Sequence, residues 1–285
     1  METKRVRVIG AGLAGSEAAL QLASFGFDVD LYEMRPEKPT PAHRGGALAQ
    51  LVCSNSFKGL ALTSAHGLLK NELNMLGSFL LKAAERTAVP AGESLTVNRD
   101  LFSEEVERLI LACPNITLHR EEVKTLEGEF PTIVAAGPLA SDTLADDIFK
   151  RLGSERLHFF DAIAPVVETE SIDFEHAFYK NRWEKGETED FINCPLDKET
   201  YDLFVQKLRE AESIEPRPFE KHELFEGCLP IEEMARRGTE TLRYGPMRPV
   251  GLGINPTGKK WHAVIQLRAE NAQKTLFNMV GFQTR

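Results

Sequence analysis

The stretch Gly10-Ala11-Gly12-Leu13-Ala14-Gly15 constrains this chain more than any other, because its three glycines stand between the apolar run 6–9 and a helix-like segment, 16–25. Strand, glycine turn and helix in that order make the dinucleotide-binding arrangement. Gly10 permits the tight turn, Gly12 lets the backbone approach a pyrophosphate, and Gly15 lets helix and strand pack closely. The helix N-terminus presents free N–H groups to an anion, so all six residues of the turn form the candidate cofactor-binding loop. Gly26 closes the helix, 29–32 reads as a second strand, and Glu33 follows it where a carboxylate would hold an adenosine ribose diol. A glycine-rich turn in a flavodoxin-like sheet is the competing reading; the strand, turn, helix, strand, acid sequence favours the dinucleotide.

Further along, the Pro-punctuated stretch 36–41 reads as a surface loop, and 51–56 places Cys53 among short polar residues after an apolar segment. Taken alone, such a cysteine reads as a small buried hydrophobe. Leu69, Leu73, Leu76, Leu80 and Ala84 form a stripe that predicts one packing helix over 68–84. Residues 95–97 read as a short strand, Asp100 as the N-cap of a helix over 101–111, and 117–119 with 122–126 as an edge hairpin. Residues 132–138 give a buried strand ending in small residues, of the kind that returns beside the first strand in two-dinucleotide flavoproteins. That favours a flavin over a simple nicotinamide site. A helix over 142–152, a strand over 159–167, a charged crossing at 181–190, an amphipathic helix over 195–212 and a turn at 225–230 follow.

At 285 residues, 42% hydrophobic and 27% charged, the chain is long enough for two domains with their own cores. Its apolar runs are strand-sized and it enters the first strand without a signal peptide, which points to the cytoplasm and no membrane partner. Cys53, Cys113, Cys194 and Cys228 are too scattered for a disulfide framework and lack zinc spacing, so no metal is expected. The net charge of −9 argues against a nucleic-acid partner, but its distribution does not. Between Arg236 and Arg268 seven basic residues (Arg236, Arg237, Arg243, Arg248, Lys259, Lys260, Arg268) face the single acid Glu240; before that window stand 25 basic and 41 acidic residues. A basic face on an acidic body can steer a polyanion, or it can be a solvated surface.

Several stretches carry a resemblance: GAGLAGSEAA from Gly10, LVCSNS from Leu51, LLK from Leu68, VPAG from Val89, AAGPLAS from Ala135, FEGCLPIEEMARRGTETLRYGPMRPVGL from Phe225 and AVIQLRAEN from Ala263. On these the sequence resembles the folate- and FAD-dependent tRNA (uracil-5-)-methyltransferases, the TrmFO family, over nearly its whole length. The block from Phe225 is the most specific. The resemblance implies an α/β fold: a Rossmann-like FAD-binding domain, incomplete here, over 1–182, and an inserted second α/β domain over 183–285 that holds RNA and substrate. It implies transfer of a one-carbon unit from 5,10-methylenetetrahydrofolate to C5 of a T-loop uridine in tRNA, with FAD as cofactor, NAD(P)H as reductant, and no obligate protein partner. Cys53 and Cys228 match the family's functional cysteines, and Arg236, Arg237, Arg243, Arg248, Lys259 and Lys260 become candidate RNA contacts. Gln50 and Asn98 depart from expected acids, and Glu93 from an expected small residue.

The family's segment after the insertion is not in this sequence, so a shortened member with weak FAD retention is expected. The same chemistry on ribosomal RNA, a flavin oxidoreductase acting on a small molecule, and a non-catalytic flavin- or RNA-binding fragment are the alternatives.

Overall fold

The N-terminal strand, turn, helix and strand form as the sequence predicts, in a computed structural model that describes residues 4–153, 164–186, 188–212, 229–255 and 257–284. In chain order the elements are β1 (Arg5–Ile9), α1 (Leu13–Ser24), β2 (Asp28–Tyr32), β3 (Ser56–Gly59), α2 (Ala65–Met75), α3 (Phe79–Arg86), β4 (Ala88–Val89), β5 (Ser94–Val97), α4 (Arg99–Leu111) and β6 (Ile116–His119). They continue with β7 (Thr132–Val134), α5 (Asp142–Leu152), β8 (Val166–Glu168), β9 (Phe178–Tyr179), β10 (Phe191–Leu196), α6 (Lys198–Glu210), α7 (Ile231–Arg237), α8 (Thr241–Tyr244), β11 (Ala263–Ala269) and β12 (Leu276–Met279).

Packing divides the chain into two units. The first comprises Met1–Val52, Gly67–Thr87 and Arg99–Phe159; the second comprises Cys53–His66, Ala88–Asn98 and Phe160–Arg285. Two earlier segments, one of them beginning at Cys53, thus pack with the second unit.

In the first unit β1 pairs in parallel with β2 on one side and β7 on the other, and β6 extends the sheet beyond β2, in the order β6-β2-β1-β7. The chain moves outward from β1 and then returns to its other flank, so the carboxyl ends of β1 and β7 form the switch point where an open α/β sheet leaves a crevice. α1 lies on this sheet through Gly15, Ser16, Ala19, Leu20 and Ala23, all but Leu20 small, at helical spacing that allows close approach.

Several local expectations are corrected. Residues 122–126 form no strand and no hairpin. The Leu126 backbone is satisfied by side chains instead: its N–H donates to Asp147 Oδ2 at 2.7 Å and its carbonyl accepts from Arg7 at 2.8 Å. The single helix expected over 68–84 is broken at Gly77, φ +80°, into α2 and α3. Glu17 of α1 holds the break by accepting from Ser78 Oγ and from the Phe79 and Leu80 amides, which satisfies the start of α3. Only the later part of the stripe is buried, at Leu80 and Ala84, whereas Leu69, Leu73 and Leu76 are exposed. α4 starts at Arg99, so Asp100 lies in its first turn and does not cap it. Pro195 and Leu196 belong to β10, and α6 begins after Asp197, which accepts from Thr200 N. Most of the expected strand 159–167 lies outside the described residues; β8 takes up its end.

The second unit holds an antiparallel sheet, β8-β12-β11-β10-β9, and a small antiparallel sheet, β3-β5-β4. Among the described residues its core has two parts. Tyr201 and Val205 of α6, Ile231 and Ala235 of α7, Leu242, Met247 and Phe282 form one; Ile192, Leu267 and Phe277 with Ala177 and Ala269 form the other.

Candidate functional site

The three glycines of the first turn have three different surroundings. Gly10 has φ +96°, and a Cβ there would lie 2.6 Å from Ala135 O and from Ala136 Cα, so the turn must pass this close to the end of β7. A Cβ on Gly15 would stand 1.7 Å from Gly10 O, which makes this glycine the contact between α1 and the turn. A Cβ on Gly12 meets nothing within 4 Å. Gly12 is also the N-cap of α1, with no side-chain cap bond and no acid in the first turn, so the helix start is open to an anion.

That opening is part of a cavity of about 350 Å³ lined by Gly10, Gly12, Leu13, Ala14, Glu33 and Gly137, among others, at the carboxyl ends of β1, β2 and β7. Ala11 is fully buried and joins turn to strand end: its N–H donates to Glu33 Oε2 at 3.1 Å. Glu33 is itself buried. Burial raises its carboxyl, but the hydrogen bond and charge of Arg35, with the Arg35 and Ala11 amides, pull further and hold it below the usual carboxylate range. Arg35 Nε lies 2.9 Å from Glu33 Oε1 and is as deeply buried, so the pair is an internal ion pair at the cavity wall. Arg35, just before the proline-punctuated loop 36–41, was not singled out in the sequence; the available signal was a cation two residues after the acid. Gln50, where an acid was expected, exchanges hydrogen bonds with the Arg44 backbone and also lines the cavity.

Cys53 opens the second unit's first segment, and the two residues after it are fixed by the central strands. Asn55, fully buried, donates to Val97 O and Ala269 O and accepts from Arg268 Nε and Asn278 Nδ2, at 3.0–3.1 Å throughout. Arg268 reaches Ser54 Oγ at 2.9 Å as well. Cys53 Sγ accepts from Gln283 Nε2 at 2.7 Å. Gln283, 230 residues away, had no signal in the sequence. Cys228 lies outside the described residues, as do Phe225 to Gly227. Burial pushes the Cys194 thiol up, which suits an inert packing residue.

The basic window is less uniform than its count. Arg268 is buried in the Asn55 network, only 8% exposed. Arg236 and Arg237, on α7, both pair with Glu233, an acid just before the window, at 3.9 and 3.4 Å. Arg243 pairs with Glu240 at 2.7 Å and donates to His262 O. Arg248, Lys259 and Lys260 are exposed. Among the described residues no group of three or more His, Cys, Asp or Glu is placed to hold a metal ion.

A parallel sheet with a glycine turn at its switch point, an uncapped helix N-terminus and an acid at the next strand end defines a Rossmann-type dinucleotide-binding α/β protein. The chain belongs to the family described as "Glucose inhibited division protein A", whose model matches residues 5–285. It is 52% identical over 282 residues, 99% of its length, to the methylenetetrahydrofolate--tRNA-(uracil-5-)-methyltransferase TrmFO of Dictyoglomus thermophilum, covering 64% of that protein. It is 50% identical to the protein of the same name from Lactobacillus helveticus, covering 99% of this chain and 69% of the relative. Among solved structures it is similar to Aquifex aeolicus GidA, with a TM-score of 0.65 at 16% identity, covering 98% of this chain and 50% of that one. The chain therefore spans just under two thirds of the first of these curated relatives.

Proposed function

We propose that this chain takes part in methylenetetrahydrofolate- and FAD-dependent methylation of C5 of a T-loop uridine in tRNA, with NAD(P)H as reductant. The observation that carries the reading is identity of 50–52% across 99% of the chain to relatives bearing that name. The geometry of the first unit fits the nucleotide half of the cofactor. Gly12 leaves open space before an uncapped helix start, and the cavity of about 350 Å³ lies at the low end of the range for small-molecule sites.

Bound FAD would supply one-carbon transfer and redox chemistry that no side chain can. The residues of this chain have simpler tasks. The turn at Gly10 to Gly15 would hold the pyrophosphate on its amides, and Glu33, a carboxylate with acceptor capacity beyond its bonds to Ala11 and Arg35, would take a ribose hydroxyl. C5 of uracil is a weak nucleophile until a group adds to C6, and a thiolate of Cys53 or Cys228 suits that addition. The target base must leave its stack to be reached, and Arg248, Lys259 and Lys260, with the paired Arg236, Arg237 and Arg243, are the cations offered to RNA phosphates. Soluble RNA in the cytoplasm is the expected setting. Among the described residues no helix is long and apolar enough to cross a membrane.

The test is transfer of label from methylenetetrahydrofolate to a T-loop transcript, run beside an rRNA substrate, under anaerobic reduction with added FAD. Label at C5 of the tRNA uridine supports the reading. Label on rRNA alone moves the target, and flavin binding without label on either RNA refutes the methylation role of this chain.

A further inference from the structure

The amide of Gln283 occupies a position that packing alone does not explain. Its Nε2 donates to Cys53 Sγ, while its Oε1 is buried with no hydrogen-bond partner among the described residues. An unmatched buried amide oxygen costs free energy that a leucine or methionine of similar volume would avoid. The side chain is nonetheless rigidly delivered. Phe282 before it is buried in the core formed by α6 and α7, the Gln283 carbonyl accepts from Ile231 N at 2.8 Å, and Thr284 Oγ1 is hydrogen-bonded to Glu232. One residue thus touches the Cys53 sulfur with its side chain and the first residue of α7 with its backbone.

From this geometry we infer that Gln283 is a positioning residue for Cys53: its amide N–H stabilises and orients the thiolate and ties the Cys53 segment to the start of α7. The inference rests on the proposed function in taking Cys53 as a working thiol. Its chemistry follows from the donor. An N–H aimed at sulfur is satisfied only while sulfur accepts, and a thiolate accepts far better than a thiol, so the contact favours the ionised form. A carboxylate in the same place offers no donor and adds like charge, which favours the thiol.

The experiment is peptide-resolved alkylation by iodoacetamide as a function of pH, on the 285-residue chain and its Gln283→Met and Gln283→Glu variants. Cys113 and Cys194 serve as internal controls. The midpoint for Cys53 should rise by about one pH unit in Gln283→Met, a fall of about tenfold in rate near neutrality, and further in Gln283→Glu, with both controls unmoved. A residue that only filled space would leave the Met midpoint in place, and an unchanged Cys53 midpoint in that variant overturns the inference. Should Gln283→Glu fail to fold, the near-isosteric Met variant decides alone. The readout needs no methyl transfer, so the two proposals can fail separately. A raised midpoint in an inactive chain supports the positioning role while the proposed function fails; active protein with an unmoved midpoint keeps the function and removes the positioning role.

Discussion

Substituting the three glycines of the first turn separates packing from ligand contact. In Gly15→Ala the new methyl would stand 1.7 Å from Gly10 O, about 1.7 Å short of where ordinary contact begins, and its obstacle is backbone that cannot rotate away. α1 must therefore retreat from the end of β1. Overpacking of this kind costs ~1–3 kcal/mol or more, and the better helix propensity of alanine returns at most ~1 kcal/mol in the first turn of α1. With the clash at the severe end, the net loss is about 2 kcal/mol, or roughly 4–8 °C in Tm for a unit of this size. Gly12 faces open space with φ −71°, which any residue adopts, so Gly12→Val loses only the glycine preference at an N-cap, ~1 kcal/mol or less. Its branched side chain would instead fill the approach to the helix start, and affinity for the dinucleotide should drop at least about tenfold, ~1.4 kcal/mol. Urea denaturation and titration with FAD read the two effects separately. Equal stability of Gly15→Ala and wild type, or full FAD affinity in Gly12→Val, would refute this division of labour.

Glu33→Gln should weaken FAD by ~1–3 kcal/mol, checked by the same titration, because the ribose loses a charged acceptor. Since the folded-state carboxyl of Glu33 is depressed, the stability it contributes is complete above the ordinary carboxylate range and disappears as pH falls through the lower folded value; the variant should lose less stability on acidification than wild type, measured by urea midpoints across that range. Cys53→Ala and Cys228→Ala should each abolish methyl transfer while Cys113→Ala and Cys194→Ala retain it, and activity in the Cys53, Cys228 double variant would exclude thiolate addition. For RNA affinity against salt, Arg248→Ala and Lys260→Ala should each reduce the log–log slope by about 1 if they meet phosphates. Arg268→Gln should leave the slope alone but lower the unfolding midpoint, because its guanidinium is spent on Asn55 and Ser54.

Features whose requirements are local could be read from residue types alone. A backbone that must turn at φ +96° and a helix that must come within contact of that turn admit little besides glycine, so Gly10 and Gly15 were readable in the chain. Apolar runs likewise marked β1 and β2, and likeness to two-dinucleotide flavoproteins marked the return of β7 to the flank of β1, although Ile133 and Val134 are exposed there and not buried as the sequence suggests. Features that depend on partners far along the chain emerged only with the folded molecule. The apolar stripe over 68–84 could not reveal its break, because the carboxylate that holds the break belongs to Glu17 on another helix. The loop at 122–126 resembles a strand until Arg7 and Asp147 take its backbone groups. Arg268 counted as a surface cation until Asn55, 213 residues earlier, gave it a buried acceptor. The Gln283 amide became a neighbour of Cys53 only because the core around Phe282 fixes the chain there. Local backbone geometry is written in residue types; a hydrogen bond between distant side chains is written only in the packing that brings them together, and no short-range pattern carries it.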